Sequence, residues 1–147
     1  MAFDYHEAFS RNLGWVTQTE QEILRNKRIA IAGMGGVGGS HLLTLTRLGI
    51  GEFNLADFDQ FELANFNRQA GANTANLGRK KLEVMIEMAQ AINPDLRLGQ
   101  FPAGVDGHNL DAFLDGVDLY VDYLDFFAID IRRAVFAACY AKGIPAI

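Results

Sequence analysis

A glycine turn set between two short apolar runs constrains this chain more than any other feature of it. The stretch Lys27 to Asp59 reads KRIAIAGMGGVGGSHLLTLTRLGIGEFNLADFD. Ile29 to Ala32 has the length and composition of a strand buried on both faces of a parallel sheet. Gly33, Gly35 and Gly38 follow in GxGxxG spacing, with Gly36 inside the turn. Val37, Leu42, Leu45 and Leu48 recur at helical intervals, and Phe53 to Ala56 predicts a second strand. That strand ends in Asp57, nineteen residues after Gly38. Glycines let the turn close tightly and let backbone N–H groups approach a phosphate at the positive end of a helix, while the acid suits ribose hydroxyls. The unit therefore predicts a nucleotide site. The competing reading is a glycine turn that only packs a helix on a sheet; the flanking strands and terminal acid favour the ligand site.

Composition narrows the class. The 147 residues give room for one domain with a sizeable core, and 50% hydrophobic with 21% charged residues describes a globular chain. A net charge of −5 supplies no basic footprint, so nucleic-acid binding through this segment is disfavoured. Cys139 is the single cysteine, which excludes an internal disulfide and a Cys-rich zinc cluster. MAFDYHE is no signal peptide, and no apolar run approaches the roughly 18 residues of a membrane span. A cytoplasmic protein with no membrane partner is the expectation.

The remaining elements alternate. Residues 1–26 read as an N-terminal helical segment: a short helix within 3–12, a break at Gly14, and a second helix over 19–26 with Thr19 and Glu22 at capping-box spacing. Residues 27–147 read as the nucleotide-binding domain. After a polar stretch from Gln60 to Leu77, a helix is predicted over 78–92 and stopped by Asn93-Pro94. A strand over 96–101, a helix near 107–114, a strand over 119–121 and a helix over 127–141 follow. Ile144 to Ile147 reads as the start of another strand, so the domain is expected to be incomplete at its C-terminus. The fold class implied is α/β: a Rossmann-like three-layer α/β/α arrangement with a mainly parallel sheet.

Several residues outside the glycine turn suit the same chemistry. Asp57 and Asp59 stand at the C-terminal end of a strand, where open α/β sheets bind ligands, and could hold ribose, magnesium or both; a plain polar turn is the alternative. Arg79, Lys80 and Lys81 crowd cations into the first turn of a predicted helix, its unfavourable end. For Arg79 and Lys80 a solvated basic face suffices; for Lys81 a bound polyphosphate would relieve the mismatch. Arg68 and Asn65 are further candidate phosphate ligands. Of Asp122 and Asp125, one could coordinate magnesium and the other cap the following helix. His6, His41 and His108 lack metal-ligand spacing and are expected at the surface. Cys139 is expected in the core, and Phe53, Phe58, Phe61 and Phe66 in the core or a pocket wall.

The ordered set GMGGVGG, ADFDQFELANFNRQ, LGRKK, AINPD and VDLYVDYLDFF resembles the adenylation domain of the ThiF/MoeB/ubiquitin-activating-enzyme superfamily, from about Arg11 to Ile147. The D-x-D followed by N-x-x-R-Q is more specific than the glycine loop. The resemblance implies a nucleotide held by Gly33 to Gly38, ribose bound by Asp57, phosphates contacted by Asn65, Arg68 and Lys81, and magnesium bound by Asp125. Arg11 resembles an arginine that reaches across a dimer into the partner's active site, which implies a homodimer. The implied reaction is ATP-dependent adenylation of a carboxylate, such as the C-terminal glycine of a ubiquitin-like or sulfur-carrier protein. Asp125-Phe126 departs from the family's frequent Asp-Asn. Three other readings stay open: a relative activating the threonylcarbamoyladenosine of tRNA, an NAD-dependent oxidoreductase, and a non-catalytic dimerising scaffold.

Overall fold

Strands β1 (Arg28–Ala32), β2 (Glu52–Ala56), β3 (Arg97–Phe101) and β4 (Leu119–Asp122) form one all-parallel sheet in the order β3-β2-β1-β4. The computed structural model describes residues 2–125 and 127–147. Register aligns the C-terminal ends of the strands: Ala32 pairs with both Ala56 and Asp122, and Ala56 pairs with Phe101. Gly33, Asp57, Pro102 and Tyr123 therefore all leave the sheet at one level. That common edge is where parallel α/β sheets place their ligands.

Strand side chains alternate between two cores. Ile29, Ile31, Phe53, Leu55 and Val121 face helices α3 (Gly36–Leu48) and α4 (Lys81–Ile92), packing with Leu42, Val84, Met85 and Ala89. Ala30, Ala32, Ala56 and Tyr120 face the opposite layer, where α5 (Leu110–Phe113) and α6 (Ile129–Lys142) supply Phe113, Val135 and Cys139. The expected α/β/α sandwich is present. Alanines on the second face of β1 leave room for the large rings of Phe113 and Tyr120, both fully buried.

The N-terminal segment folds as α1 (Tyr5–Ala8), a 3-10 turn at Ser10–Asn12, and α2 (Gln18–Arg25). The expected helix within 3–12 is thus split. The capping box is also placed two residues earlier than Thr19 and Glu22. Thr17 is extended and caps α2, its Oγ1 accepting from the Glu20 N–H at 3.2 Å, while Glu20 Oε2 accepts from the Thr17 N–H at 2.7 Å. Both pairs have the same spacing, and Thr19 lies inside the helix.

The helix predicted from 78 begins at Lys81. Gly78 adopts φ +77°, and a short antiparallel link, Phe61 N–H to Arg79 C=O at 3.0 Å and Lys81 N–H to Asp59 C=O at 3.0 Å, holds residues 79–81 extended against 59–61. The helix near 107–114 contracts to Leu110–Phe113, and the 127–141 helix becomes Ile129–Lys142. Its N-cap is Ala128 with no side-chain bond, so neither Asp122 nor Asp125 caps it. At the C-terminus, Ile147 N–H donates to Tyr120 C=O at 3.0 Å and Asp122 N–H to Ile147 C=O at 2.7 Å, a parallel pairing beside β4.

Candidate nucleotide site

A cavity of about 330 Å³ opens at the common C-terminal edge of the sheet. Every strand contributes to its wall: Gly33 after β1, Asp57 to Asp59 after β2, Ala103 to Val105 after β3, and Tyr123 to Asp125 after β4, with Ala128 and Ile131 closing one side. The wall is mostly apolar with a rim of carboxylates, a composition that suits a base and its sugar.

The glycine turn is held by sterics. Gly33 has φ +97°, and a Cβ there would overlap the Tyr123 carbonyl oxygen. A Cβ on Gly38 would overlap the Gly33 carbonyl oxygen. Only glycine lets β1 turn into α3 this closely. Gly35 caps α3 with no side-chain bond, which leaves the first-turn N–H groups of a 13-residue helix directed at the loop.

Asp57 organises the turn as well as facing the cavity. Its Oδ2 accepts from the Met34 N–H at 2.6 Å and its Oδ1 from the Asp59 N–H at 2.7 Å. Each carboxylate oxygen keeps a second lone pair, so the group both ties β2 to the turn and stays able to accept from ribose hydroxyls.

The N-x-x-R-Q segment lies over the glycines. A Cβ on Gly36 would meet Arg68 Cγ and C=O at 3.4 Å, and one on Gly35 would meet Gln69 Nε2 at 3.5 Å. The Arg68 guanidinium donates to Ala64 C=O and to Asn67 Oδ1, both at 2.9 Å. Asn65 is nearly buried, and its Oδ1 accepts from the Glu62 N–H at 2.9 Å, so its amide nitrogen is what it offers a ligand. Lys81 is buried at 7% exposure with Nζ 3.2 Å from Asp59 Oδ2. Arg79 pairs with Glu87 and Lys80 Nζ donates to Phe58 C=O, and neither side chain lines the cavity.

Asp125 is exposed on the cavity wall and its Oδ1 accepts from the Phe127 N–H at 3.0 Å. Phe126, the departure beside it, lies outside the described residues. The Asp122 side chain is instead buried: Oδ1 accepts from the Tyr120 hydroxyl at 2.7 Å, and Arg132 stands 2.7 Å from Oδ2, off the hydrogen-bond direction. Burial and this carboxylate push the Tyr120 hydroxyl far above the ordinary phenol range.

Arg11 is not brought to this cavity. Its turn is anchored by Asn12 Nδ2 donating to Arg47 C=O at 3.2 Å and Leu48 C=O at 3.1 Å, at the C-terminal end of α3. The glycine turn lies at the other end, about 20 Å away at the rise of an α-helix.

Some features escaped the sequence reading. His41, expected at the surface, is half-buried against Tyr123, with Nε2 3.3 Å from its hydroxyl. Of the phenylalanines expected in the core or a pocket wall, Phe53 and Phe61 are core and Phe58 lines the cavity, while Phe66 is 38% exposed and off the cavity wall. The loop from Ala103 to Val105 carries no chemical signature, and only its place after β3 brings it to the wall.

A family model described as the ThiF family matches residues 9–147. The chain is 32% identical over 127 residues to the molybdopterin-synthase adenylyltransferase of Escherichia coli (strain K12), covering 86% of this chain and 50% of that protein. It is 38% identical over 133 residues to ubiquitin-like modifier-activating enzyme 5 of Drosophila persimilis, covering 82% and 34%. Among solved structures, E. coli tRNA N6-threonylcarbamoyladenosine dehydratase in complex with ATP superposes with a TM-score of 0.90 at 29% identity, over 96% of this chain and 58% of that one. The chain spans half or less of the curated relatives named here.

Proposed function

The chain belongs to the ThiF family, and from that premise we propose that it binds ATP in the cavity above the sheet and adenylates a substrate carboxylate. The observation that carries the reading is the convergence of Gly33, at the start of the glycine turn, with Asp57, Asp59 and Asp125 on one cavity, with Arg68 lying over Gly36. A fold superposing on a dehydratase crystallised with ATP supports a nucleotide there. An NAD-dependent oxidoreductase would use the same turn and Asp57, but it leaves the neighbouring Arg68 and Lys81 without roles.

Adenine and ribose would occupy the apolar wall, with ribose hydroxyls donating to Asp57. The α3 N-terminus, Arg68, Asn65 Nδ2 and Lys81 would face the phosphates. Arg68 serves there once its guanidinium leaves Ala64 and Asn67. The carboxylate oxygen of the substrate attacks the α-phosphorus, the bond to the β-phosphate oxygen breaks, and pyrophosphate departs with its electron pair. The acyl-adenylate remains. Positioning and charge neutralisation suffice, and Cys139, at 1% exposure in the core with its thiol pushed up by burial, serves no nucleophilic role.

Magnesium fits this wall. Among the described residues no group of three metal-ligating side chains exists, and a magnesium ion that keeps waters and phosphate oxygens needs only one or two carboxylates. Asp125 would hold it, and the ion would neutralise charge on the leaving pyrophosphate.

The substrate proposed is the C-terminal glycine of a ubiquitin-like or sulfur-carrier protein, activated by a homodimer in which Arg11 serves the second copy's cavity. The distance of Arg11 from the glycine turn of its own chain supports that arrangement. The fold match to the tRNA dehydratase supports, as second reading, a carboxylate on a modified tRNA nucleoside. Exchange of labelled pyrophosphate into ATP tests the step directly. Exchange that appears only when a carrier protein ending in glycine is added bears out the first reading, and exchange that needs threonylcarbamoylated tRNA bears out the second. No exchange with either, from a folded chain that binds ATP, leaves a non-catalytic scaffold.

A further inference from the structure

We propose that Asp59 is the internal counterion of Lys81, occupying at the ammonium the place that a nucleotide phosphate takes on binding. The inference rests on the ATP reading of the cavity and adds to it a residue that competes with the ligand instead of holding it.

Lys81 carries a buried cation, its side chain 9% exposed, and Asp59 Oδ2 at 3.2 Å is its ion-pair partner. Asp59 is 54% exposed at its side chain and lines the cavity, whereas Lys81 does not. The ammonium is thus reached from the cavity past the carboxylate. Backbone bonds fix this order. Lys81 N–H donates to Asp59 C=O, Gln60 bridges Lys80, and Phe61 N–H donates to Arg79 C=O, so the two segments cannot slide relative to each other. The helix that starts at Lys81 has Lys80 as its N-cap and no side-chain cap bond, so its positive end gathers further positive charge. A buried cation at such a place requires an anion, and a polyphosphate supplies more charge there than one carboxylate. Asp57, two residues away, differs in kind: both of its oxygens are bound by backbone N–H groups of the turn.

A residue that held ribose would weaken ATP binding when neutralised; a residue that competes for Lys81 strengthens it, and only while Lys81 is present. Calorimetric titration of the full chain with metal-free ATP and with inorganic tripolyphosphate, which has no ribose, separates the two. Asp59→Asn is expected to bind both probes about three- to tenfold more tightly than the unaltered chain, the range expected for freeing a partly exposed pair and removing a like charge. In a Lys81→Met background the same change is expected to shift either affinity by less than about twofold. Affinity that falls or stays level in Asp59→Asn overturns the proposal, as does a gain that persists without Lys81. Circular dichroism verifies the fold, and Asp59→Ser replaces Asn if that variant does not fold. Tripolyphosphate binding without ATP binding by the unaltered chain contradicts the nucleotide reading alone, since the counterion claim is then still read from tripolyphosphate. Binding of neither probe by any of these folded variants overturns both.

Discussion

At the scale of single residues, the site depends on atoms that leave no space and on backbone donors that need an acceptor. Gly38→Ala would drive a methyl group into the Gly33 carbonyl, a backbone clash with no flexible side chain to yield. It is expected to lower stability by about 2 kcal/mol or more and to abolish nucleotide binding. Gly36→Ala makes an ordinary 3.4 Å contact with Arg68 and is expected to cost under about 1 kcal/mol. Urea unfolding of the two variants checks the order, and equal losses would show that loop sterics are not what requires glycine at position 38. Asp57→Ala strips acceptors from the Met34 and Asp59 N–H groups. A loss of about 1–3 kcal/mol is expected, together with ATP affinity. Full stability in that variant would mean that the carboxylate serves only the ligand. The spacing of glycines and the acid was legible in the sequence because each answers a local steric or hydrogen-bonding demand. The double duty of Asp57 was not, because the Met34 N–H reaches it only once β1 and β2 are in register.

At the scale of elements, the strands are tied at their N-terminal ends by charge as their C-terminal ends are opened for a ligand. Arg28 and Arg97 both reach Glu52, at 2.6 Å, linking β1, β2 and β3, and Lys27 pairs with Asp118 at 2.8 Å just before β4. Burial pushes Glu52 up, but hydrogen bonds from Arg97 and Arg28 outweigh it and hold the carboxyl below its ordinary range. Asp118 behaves alike: burial pushes it up, and Lys27 with the Arg28 N–H brings it down further. A carboxyl depressed in the folded state adds stability above its unfolded pKa, near 4, and loses it as pH falls through the folded value. Stability is therefore expected to fall on acidification below about pH 4, and Glu52→Gln to flatten that fall. Denaturant midpoints measured from pH 6 to pH 3 check this; a variant that loses stability as steeply as the parent contradicts it. Helix boundaries were the least legible part of the sequence at this scale. Thr17–Glu20 and Thr19–Glu22 offer the same capping pattern, so spacing alone does not choose between them, and the helix uses the first. Likewise the start of α4 at Lys81 depends on the link between residues 59–61 and 79–81, which no periodicity reveals.

For the molecule as a whole, the mainly parallel α/β/α class was legible in the alternation of strands and helices, whereas the order β3-β2-β1-β4 and the split of β1 between isoleucines on one face and alanines on the other appear only in the folded sheet. The same topology gathers at one edge residues far apart in sequence, from Gly33 to Asp125, and that gathering is what turns a common glycine turn into a candidate adenylation site. Arg11 stays at the far end of α3, away from the cavity of its own chain. Among the described residues no helix is long and apolar enough to cross a membrane. The central claim is that the edge cavity is an ATP site whose phosphates are met by Lys81. It is tested most directly by calorimetric titration of the chain and of Lys81→Ala with Mg·ATP and, in parallel, with NAD. Binding of Mg·ATP that weakens at least about tenfold in Lys81→Ala, with no comparable response to NAD, is the expected result, since a charge-assisted phosphate contact is lost. Binding of NAD in preference to ATP, or ATP binding indifferent to Lys81, would contradict the account.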